Sequence, residues 1–193
     1  VITDRSGAQV IDGSLKFDGS YLKRTPGSAG NRKIFTWSGW VKLNELASFY
    51  LFSVPDSSGH ASFMFDSGKL RWNTFSTSTN GLFTSNAYFR DTGWYHVVFA
   101  FDATESTTTD RIKVYVNGER LTSSSYTTPN GSNTPVNNTV EHSIGARYQG
   151  ATSGDVNIVN NYFIDGQALT PDSFGFTDGL TGTWRPKKYT GTF

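Results

Sequence analysis

A chain of 193 residues with a net charge of +1 and no cysteine has room for one well-buried core, and its fold must stand without disulfides or thiolate-bound metal. Aromatic residues reach 15% while charged residues stop at 17% and methionine occurs once, so the core is one of Phe, Trp, Tyr and Val, which favour strands. The basic cluster Arg185, Lys187 and Lys188 is broken by Pro186 and is too small for a nucleic-acid footprint, and no run approaches the ~18 apolar residues of a membrane helix, so neither nucleic-acid binding nor membrane insertion is expected.

In chain order, residues 14–17 (SLKF) alternate and meet Asp18-Gly19, a strand and then a turn, after which residues 20–22 resume. Residues 26–31 (PGSAGN) have loop composition. Within FTWSGWVKL, residues 35–43, Phe35, Trp37, Val41 and Leu43 share one face and Trp40 takes the other, which predicts a central strand packed on both sides. Residues 48–54 (SFYLFSV) read as a second dense strand, closed by the turn residues of PDSSGH. Strands at 61–65 and 69–75 flank Asp66-Ser67-Gly68, which reads as a three-residue hairpin loop. Leu70 and Trp72 fall on one face of the second of these strands, and Lys69, Arg71 and Asn73 on the other.

Residues 76–86 are polar and weakly patterned. In the apolar run 94–101, Tyr95, Val97, Phe99 and Phe101 project one way and Trp94, His96, Val98 and Ala100 the other. Residues 111–121 (RIKVYVNGERL) carry Ile112, Val114 and Val116 on one face up to Asn117-Gly118, whose tolerance of positive φ predicts a type I′ hairpin turn. Residues 123–138 form a polar stretch with two prolines, long enough to be a functional loop. Further strands are expected at 140–144 and 156–164. From Thr170 onward Pro171, Gly175, Gly179, Gly182 and Pro186 speak against regular structure beyond a short helical turn near 168–174. Some ten short strands without helical period mean an all-β sandwich or barrel over residues 1–169. Residues 170–193 form an irregular C-terminal extension that packs on it or on a neighbouring subunit. The start at Val1 and the stop within YTGTF suggest a mature product or a piece of a longer polypeptide.

Glycoside hydrolysis needs two carboxylates close together, most simply at i and i+2 or i+4 of one strand. The closest acids in the chain are Asp102 and Glu105, in a Ser/Thr loop, so no strand carries a pair and no catalytic residue is assigned. Asp-x-Asp calcium loops, His-Glu-x-x-His and Gly-x-Ser-x-Gly are also missing. A Ca²⁺ site built across loops from Asp102 or Asp155 needs no local spacing, and competes with a turn Asp capping its own backbone. His96 has no acid at positions 94 or 98 to orient it and reads as a neutral framework histidine; His60 and His142 have less to recommend them. Sugar binding asks instead for aromatic rings with polar neighbours. Tyr50, Trp72, Asn73, Tyr148 and Trp184 are the candidates, with Tyr88 of the same type and residues 76–86 and 123–138 as a polar rim; each also fits core or edge packing. Asn130-Gly-Ser and Asn137-Asn-Thr match the N-glycosylation pattern.

The runs SLKFDGSYL, FTWSGWVKL and GWYHVVFAFDATESTTTDRIKVYVNGERL resemble the laminin G-like and pentraxin-like branch of the concanavalin A-like lectin/glucanase superfamily. There a Trp-Tyr/His-His-Val strand followed by a strand ending in Val-Asn-Gly recurs, carried here by Trp94, Tyr95, His96 and Val97, then by Tyr115, Val116, Asn117 and Gly118. The resemblance spans most of residues 14–165 and implies a jelly-roll β-sandwich of two antiparallel sheets. The hydrolases of that superfamily carry Glu-x-Asp-x-x-Glu, which has no match here. The run NNYFIDGQALTPDSFGFTDGLTGTWRPKKYTGTF is similar to a segment of concanavalin A-like virion proteins of marine and other tailed bacteriophages. That similarity implies a tail-fibre, appendage or capsid-surface protein on the virion, partnered by other virion proteins, homo-oligomeric, and adsorbing to host-surface glycans. The alternatives are a structural capsid decoration without sugar binding and a secreted bacterial adhesion module.

Overall fold

The computed structural model describes residues 8–56, 59–75, 81–150 and 154–193. The first strands are β1 (Leu15–Phe17), β2 (Leu22–Arg24), β3 (Ile34–Leu43), β4 (Phe49–Asp56), β5 (Gly59–Asp66) and β6 (Lys69–Phe75). They are followed by β7 (Leu82–Ser85), β8 (Trp94–Asp102), β9 (Ile112–Val116), β10 (Glu119–Arg120) and β11 (Ser123–Thr127). The last are β12 (His142–Ile144), β13 (Val156–Asp165), β14 (Gly175–Thr177) and β15 (Trp184–Pro186). A six-stranded sheet in the order β1-β13-β3-β8-β9-β10 faces a seven-stranded sheet in the order β11-β7-β6-β5-β4-β12-β2, and β14 and β15 form a small hairpin. The pairings are antiparallel, so the fold is an all-β sandwich, as expected.

The core follows from strand alternation. Phe35, Trp37 and Val41 of β3 and Val97, Phe99 and Phe101 of β8 point inward from one sheet, and Phe63, Phe65, Leu70 and Trp72 from the other; all are 1% exposed or less. The two layers meet through rings: Trp72 stacks on Phe99 with centroids 4.4 Å apart, and Trp37 meets Phe63 edge-on at 5.5 Å. Each such side chain contributes roughly 2–3 kcal/mol by leaving water. This overturns the expectation that Trp72 binds sugar. It shares its face with Leu70, and that is the core face, so no ligand reaches the ring.

Turn chemistry sets the registers. Asn117 (φ 49°) and Gly118 (φ 87°) form the expected turn between Val116 and Glu119. The Asp66-Ser67-Gly68 loop is shorter than expected: Asp66 pairs with Lys69, leaving a two-residue turn of Ser67 (φ 52°) and Gly68 (φ 79°). Ser48 Oγ accepts the Ser67 N–H at 3.0 Å and steadies this conformation. Asp18-Gly19 passes the chain from one sheet to the other, since β1 pairs with β13 and β2 with β12.

Two stretches expected as rim loops are partly strand. Leu82–Ser85 and Ser123–Thr127 pair with each other and extend the seven-stranded sheet beyond β6, placing Tyr126 opposite Phe83. Residues 76–80 of the first stretch lie outside the described residues. Thr and Tyr suit an edge strand without needing apolar alternation.

The C-terminal stretch folds back on its own sandwich. Phe174 and Tyr189 bury themselves against Val98 and Ile164, on the outer face of the six-stranded sheet, with Tyr115, Tyr162 and Leu169 around them. Thr36 Oγ1 ties the approach by donating to the Gln167 carbonyl at 2.7 Å and accepting the Leu169 N–H at 2.8 Å. The expected helical turn is a single 3-10 turn at Pro171–Ser173, and the β14–β15 hairpin is regular structure the glycines had spoken against.

Candidate functional site

The sandwich has two outer faces, and the chain itself covers much of one. His96, on the outer face of β8, is 1% exposed. Its Nε2 lies 3.0 Å from Ser38 Oγ, and its Nδ1 accepts a hydrogen bond from Trp184 Nε1 at 2.9 Å. An indole N–H can only donate, so the imidazole proton sits on Nε2 and both ring nitrogens are satisfied. Burial pushes this histidine down to about 4, so it is neutral and enclosed, with no carboxylate bonded to it. The His96 N–H donates to Asn117 Oδ1 at 2.8 Å, and the Asn117 N–H returns to the His96 carbonyl at 2.9 Å. Strand and turn are thus locked into one unit on which Trp184 is stacked.

The other outer face, that of the seven-stranded sheet, is built differently. Across its centre the register aligns Lys23, Ser143, Ser53, Ser62, Asn73 and Leu82 on successive strands. Between Lys23 and Leu82, the short polar side chains of Ser143, Ser53, Ser62 and Asn73 form a buried floor. The segment 145–150 lies over part of it, anchored by Ser53 Oγ donating to the Ala146 carbonyl at 3.2 Å. Around His60 two tyrosines gather, Tyr50 from β4 with ring centroids 6.4 Å apart and Tyr148 from the covering segment at 5.8 Å. Arg147 stacks its guanidinium 4.9 Å from the Tyr148 ring centre, and Arg71 on β6 is held by Asp66 at 2.8 Å.

Polar atoms here outnumber the partners the protein provides. Ser62 Oγ, Ser143 Oγ, Arg71 Nε and Arg147 Nε are buried without a hydrogen-bond partner. Burial first, and then the nearby charges of Arg147 and Arg71, hold the His60 imidazole below its ordinary pKa, so it is neutral near pH 7. The Arg71 guanidinium keeps the Asp66 carboxyl below the usual carboxylate range.

Of the residues nominated from sequence, Tyr50 and Tyr148 each approach His60 on this face and Asn73 lies in its floor, 8% exposed. Trp184 sits on the opposite face, bonded to His96. Tyr88 is 54% exposed beside the β5–β6 turn, with Lys69 Nζ and Arg90 Cζ each 4.6 Å from its ring centre. Sequence reasoning missed His60, Arg71 and Arg147 as neighbours. The alternation of Lys69, Arg71 and Asn73 was a signal for the second, whereas Arg147 had none beyond adjacency to Tyr148.

The calcium candidates are engaged by donors. Asp102 Oδ1 accepts from the Thr104 N–H at 2.9 Å and its hydroxyl at 2.6 Å, capping its own turn. Asp155 accepts the Asn44 amide at 2.7 Å and pairs with Lys16 at 3.2 Å, which together keep its carboxyl below the ordinary value. A cation at Asp155 would have to displace that ammonium. Among the described residues no three His, Asp or Glu side chains gather to hold a metal ion, and no helix is long and apolar enough to cross a membrane.

Between the edge strands β1 and β2 the sandwich opens into a cleft of about 1260 Å³ lined by Leu22, Arg24, Phe52, His142, Ile158 and Phe163 among others. Among the described residues Asp165 is the single carboxylate residue on its wall, short of the pair that glycoside hydrolysis needs.

An antiparallel sandwich largely covered on one outer face and set with aromatic and cationic side chains on the other has a lectin-like architecture. Residues 17–172 match the laminin G-type model of the concanavalin A-like lectin/glucanases superfamily, and the chain belongs to that family. Solved structures share the fold at low identity. The mouse laminin α1 chain, domains LG4-5, matches at 16% identity and TM-score 0.60, covering 95% of this chain and 47% of that one. A heptameric SAP-like pentraxin from Limulus polyphemus matches at 16% and 0.54, covering 86% and 76%. A chain of botulinum neurotoxin type C, whose cell entry depends on interaction with two ganglioside molecules, matches at 13% and 0.53, covering 86% and 42%. This chain thus spans less than half of the laminin and toxin chains. A search of curated protein sequences returned no match.

Proposed function

We propose that this chain is a non-catalytic glycan-binding module whose sugar site is the outer face of the seven-stranded sheet, around Tyr50, His60 and Tyr148. One observation carries it: the chain's own C-terminal stretch packs over the other outer face, while this one keeps two half-buried tyrosines beside buried polar atoms without partners. Tyrosine rings stack on the apolar faces of sugars, and polar groups beside them select hydroxyls. The ganglioside interaction of a toxin sharing the fold agrees with this reading. A non-catalytic role is supported by the cleft, with one acidic residue among the described residues that line it, and by the lack of closely spaced acids in the sequence.

On the likeness of residues 160–193 to virion proteins, we place the module on the surface of a tailed phage, where repeated copies raise weak single-site affinity into adsorption. A multivalent display of the chain, tested on a glycan array and on candidate host cells, is expected to bind; silence in both assays overturns the proposal. A second reading, a virion subunit that acts by assembly, is favoured by Leu15 at 57% and Leu22 at 50% exposure on the edge strands β1 and β2. It predicts a defined oligomer that Leu22→Lys disperses, measured by light scattering, and a wild-type monomer contradicts it.

A further inference from the structure

The face around Tyr148 is cationic where a sugar would lie. Lys69, Arg71 and Asn73 alternate along β6 and so share the outer side of the sheet, and Arg147 comes over that side from the covering segment. Arg71 already has a carboxylate, Asp66, at 2.8 Å. Arg147 has none: its contacts are the Tyr148 ring at 4.9 Å and a 3.4 Å hydrogen bond to the Tyr148 hydroxyl, and it enters no ion pair among the described residues. Its Nε is buried and unpartnered, as is that of Arg71.

A buried guanidinium nitrogen without an acceptor is costly, and a planar fork of N–H donors fits a carboxylate or a sulfate. Both arginines act electrostatically on His60, which neighbours Tyr50 and Tyr148, so their charges reach the side chain that the two rings flank. His60 stays neutral there and adds no charge of its own. Asp66 offsets one of the two guanidinium charges, leaving the Arg147 end with a net positive field.

We propose that the glycan taken by this face is acidic, with a carboxylate or sulfate seated on the Arg147 guanidinium, Arg71 as the second cation, and a sugar ring stacked on Tyr148. This rests on the glycan-binding reading and narrows it from sugars in general to anionic sugars. The stacked Tyr148 ring holds the Arg147 fork in one plane, so the anion meets a preorganised donor set. Selection against neutral sugars follows, because a ligand without an anion leaves the buried guanidinium nitrogens unpaired.

The test measures the intact chain by calorimetry against oligosaccharides of matched length that are neutral, carboxylate-bearing or sulfated. One or both acidic classes are expected to bind at least about tenfold more tightly than the neutral one, with a preference that shrinks as salt rises. The carboxylate and sulfate arms identify the anion. Arg147→Gln should weaken binding of the acidic ligands several-fold more than that of the neutral one, so that most of the preference disappears, and Arg147→Lys, which keeps the charge, should retain part of it. Equal binding of all three classes by the wild type overturns the acidic assignment and leaves the glycan reading standing. A loss in Arg147→Gln that is the same for neutral and acidic ligands overturns it too, since that is a packing role. Binding of none of the three sinks the glycan reading and this inference together.

Discussion

His96 and Trp184 show how one pair of side chains can close a face. With Nδ1 accepting from the indole, His96 cannot take a second proton without losing that bond. Its folded pKa of about 4 lies below the unfolded value of 6.5, so the unfolded chain binds the proton first as pH falls. The contribution is complete above pH 6.5 and lost on the way down to 4, about 3 kcal/mol in all. Burial also lowers His60 and His142, which act in the same direction. Urea unfolding from pH 7 to 4.5 should therefore show falling stability, with a shallower fall in His96→Gln; equal slopes in both proteins would contradict this. Trp184→Phe keeps the ring but deprives Nδ1 of its donor, and is expected to cost about 1 kcal/mol or more. By contrast Ser62→Ala deletes a buried hydroxyl that has no partner, and should leave the thermal midpoint unchanged or raised.

At the level of elements, the β9–β10 turn and the C-terminal hairpin fit each other through missing side chains. A Cβ on Gly118 would lie 2.7 Å from the Trp184 ring, and one on Gly175 would lie 2.4 Å from it. Gly118→Ala, also strained at φ 87°, is expected to destabilise by about 1–3 kcal/mol. Gly175→Ala should loosen the hairpin, seen as faster proteolytic cleavage beyond residue 169; unchanged cleavage would show that Trp184 has room to shift. The turn at Asn117-Gly118 was legible because two left-handed positions in a row leave few residue choices. The Ser67-Gly68 turn was miscounted by one because a serine took the left-handed place. Strand β11 was hidden because a hydroxyl-rich edge strand lacks alternation, and β7 because its four residues are too few to establish a period. The C-terminal hairpin was hidden because Phe174, Trp184 and Tyr189 bury against a sheet's outer face at spacings no local period describes.

For the whole molecule, family and layer architecture were written in the motifs around Trp94 and Asn117, and the alternation of β3 and β8 was assigned to the correct faces. The site was only half legible. Residue type nominated Tyr50, Tyr148, Trp72 and Trp184 alike, and type cannot tell the core from either outer face, which here separates Trp72 and Trp184 from the two tyrosines. The convergence of β4, β5, β6 and segment 145–150 on His60 is a product of sheet order, which no local pattern encodes. The account therefore stands or falls on which outer face meets the ligand. The most direct measurement is glycan binding by a multivalent display of the wild type, Tyr148→Ala and Trp94→Ala, the last removing an exposed aromatic on the opposite sheet. Tyr148→Ala should lose about five- to thirtyfold in affinity, as expected for a stacked ring worth about 1–2 kcal/mol, and Trp94→Ala should bind as the wild type does. Undiminished binding by Tyr148→Ala, or a loss confined to Trp94→Ala, would contradict the account.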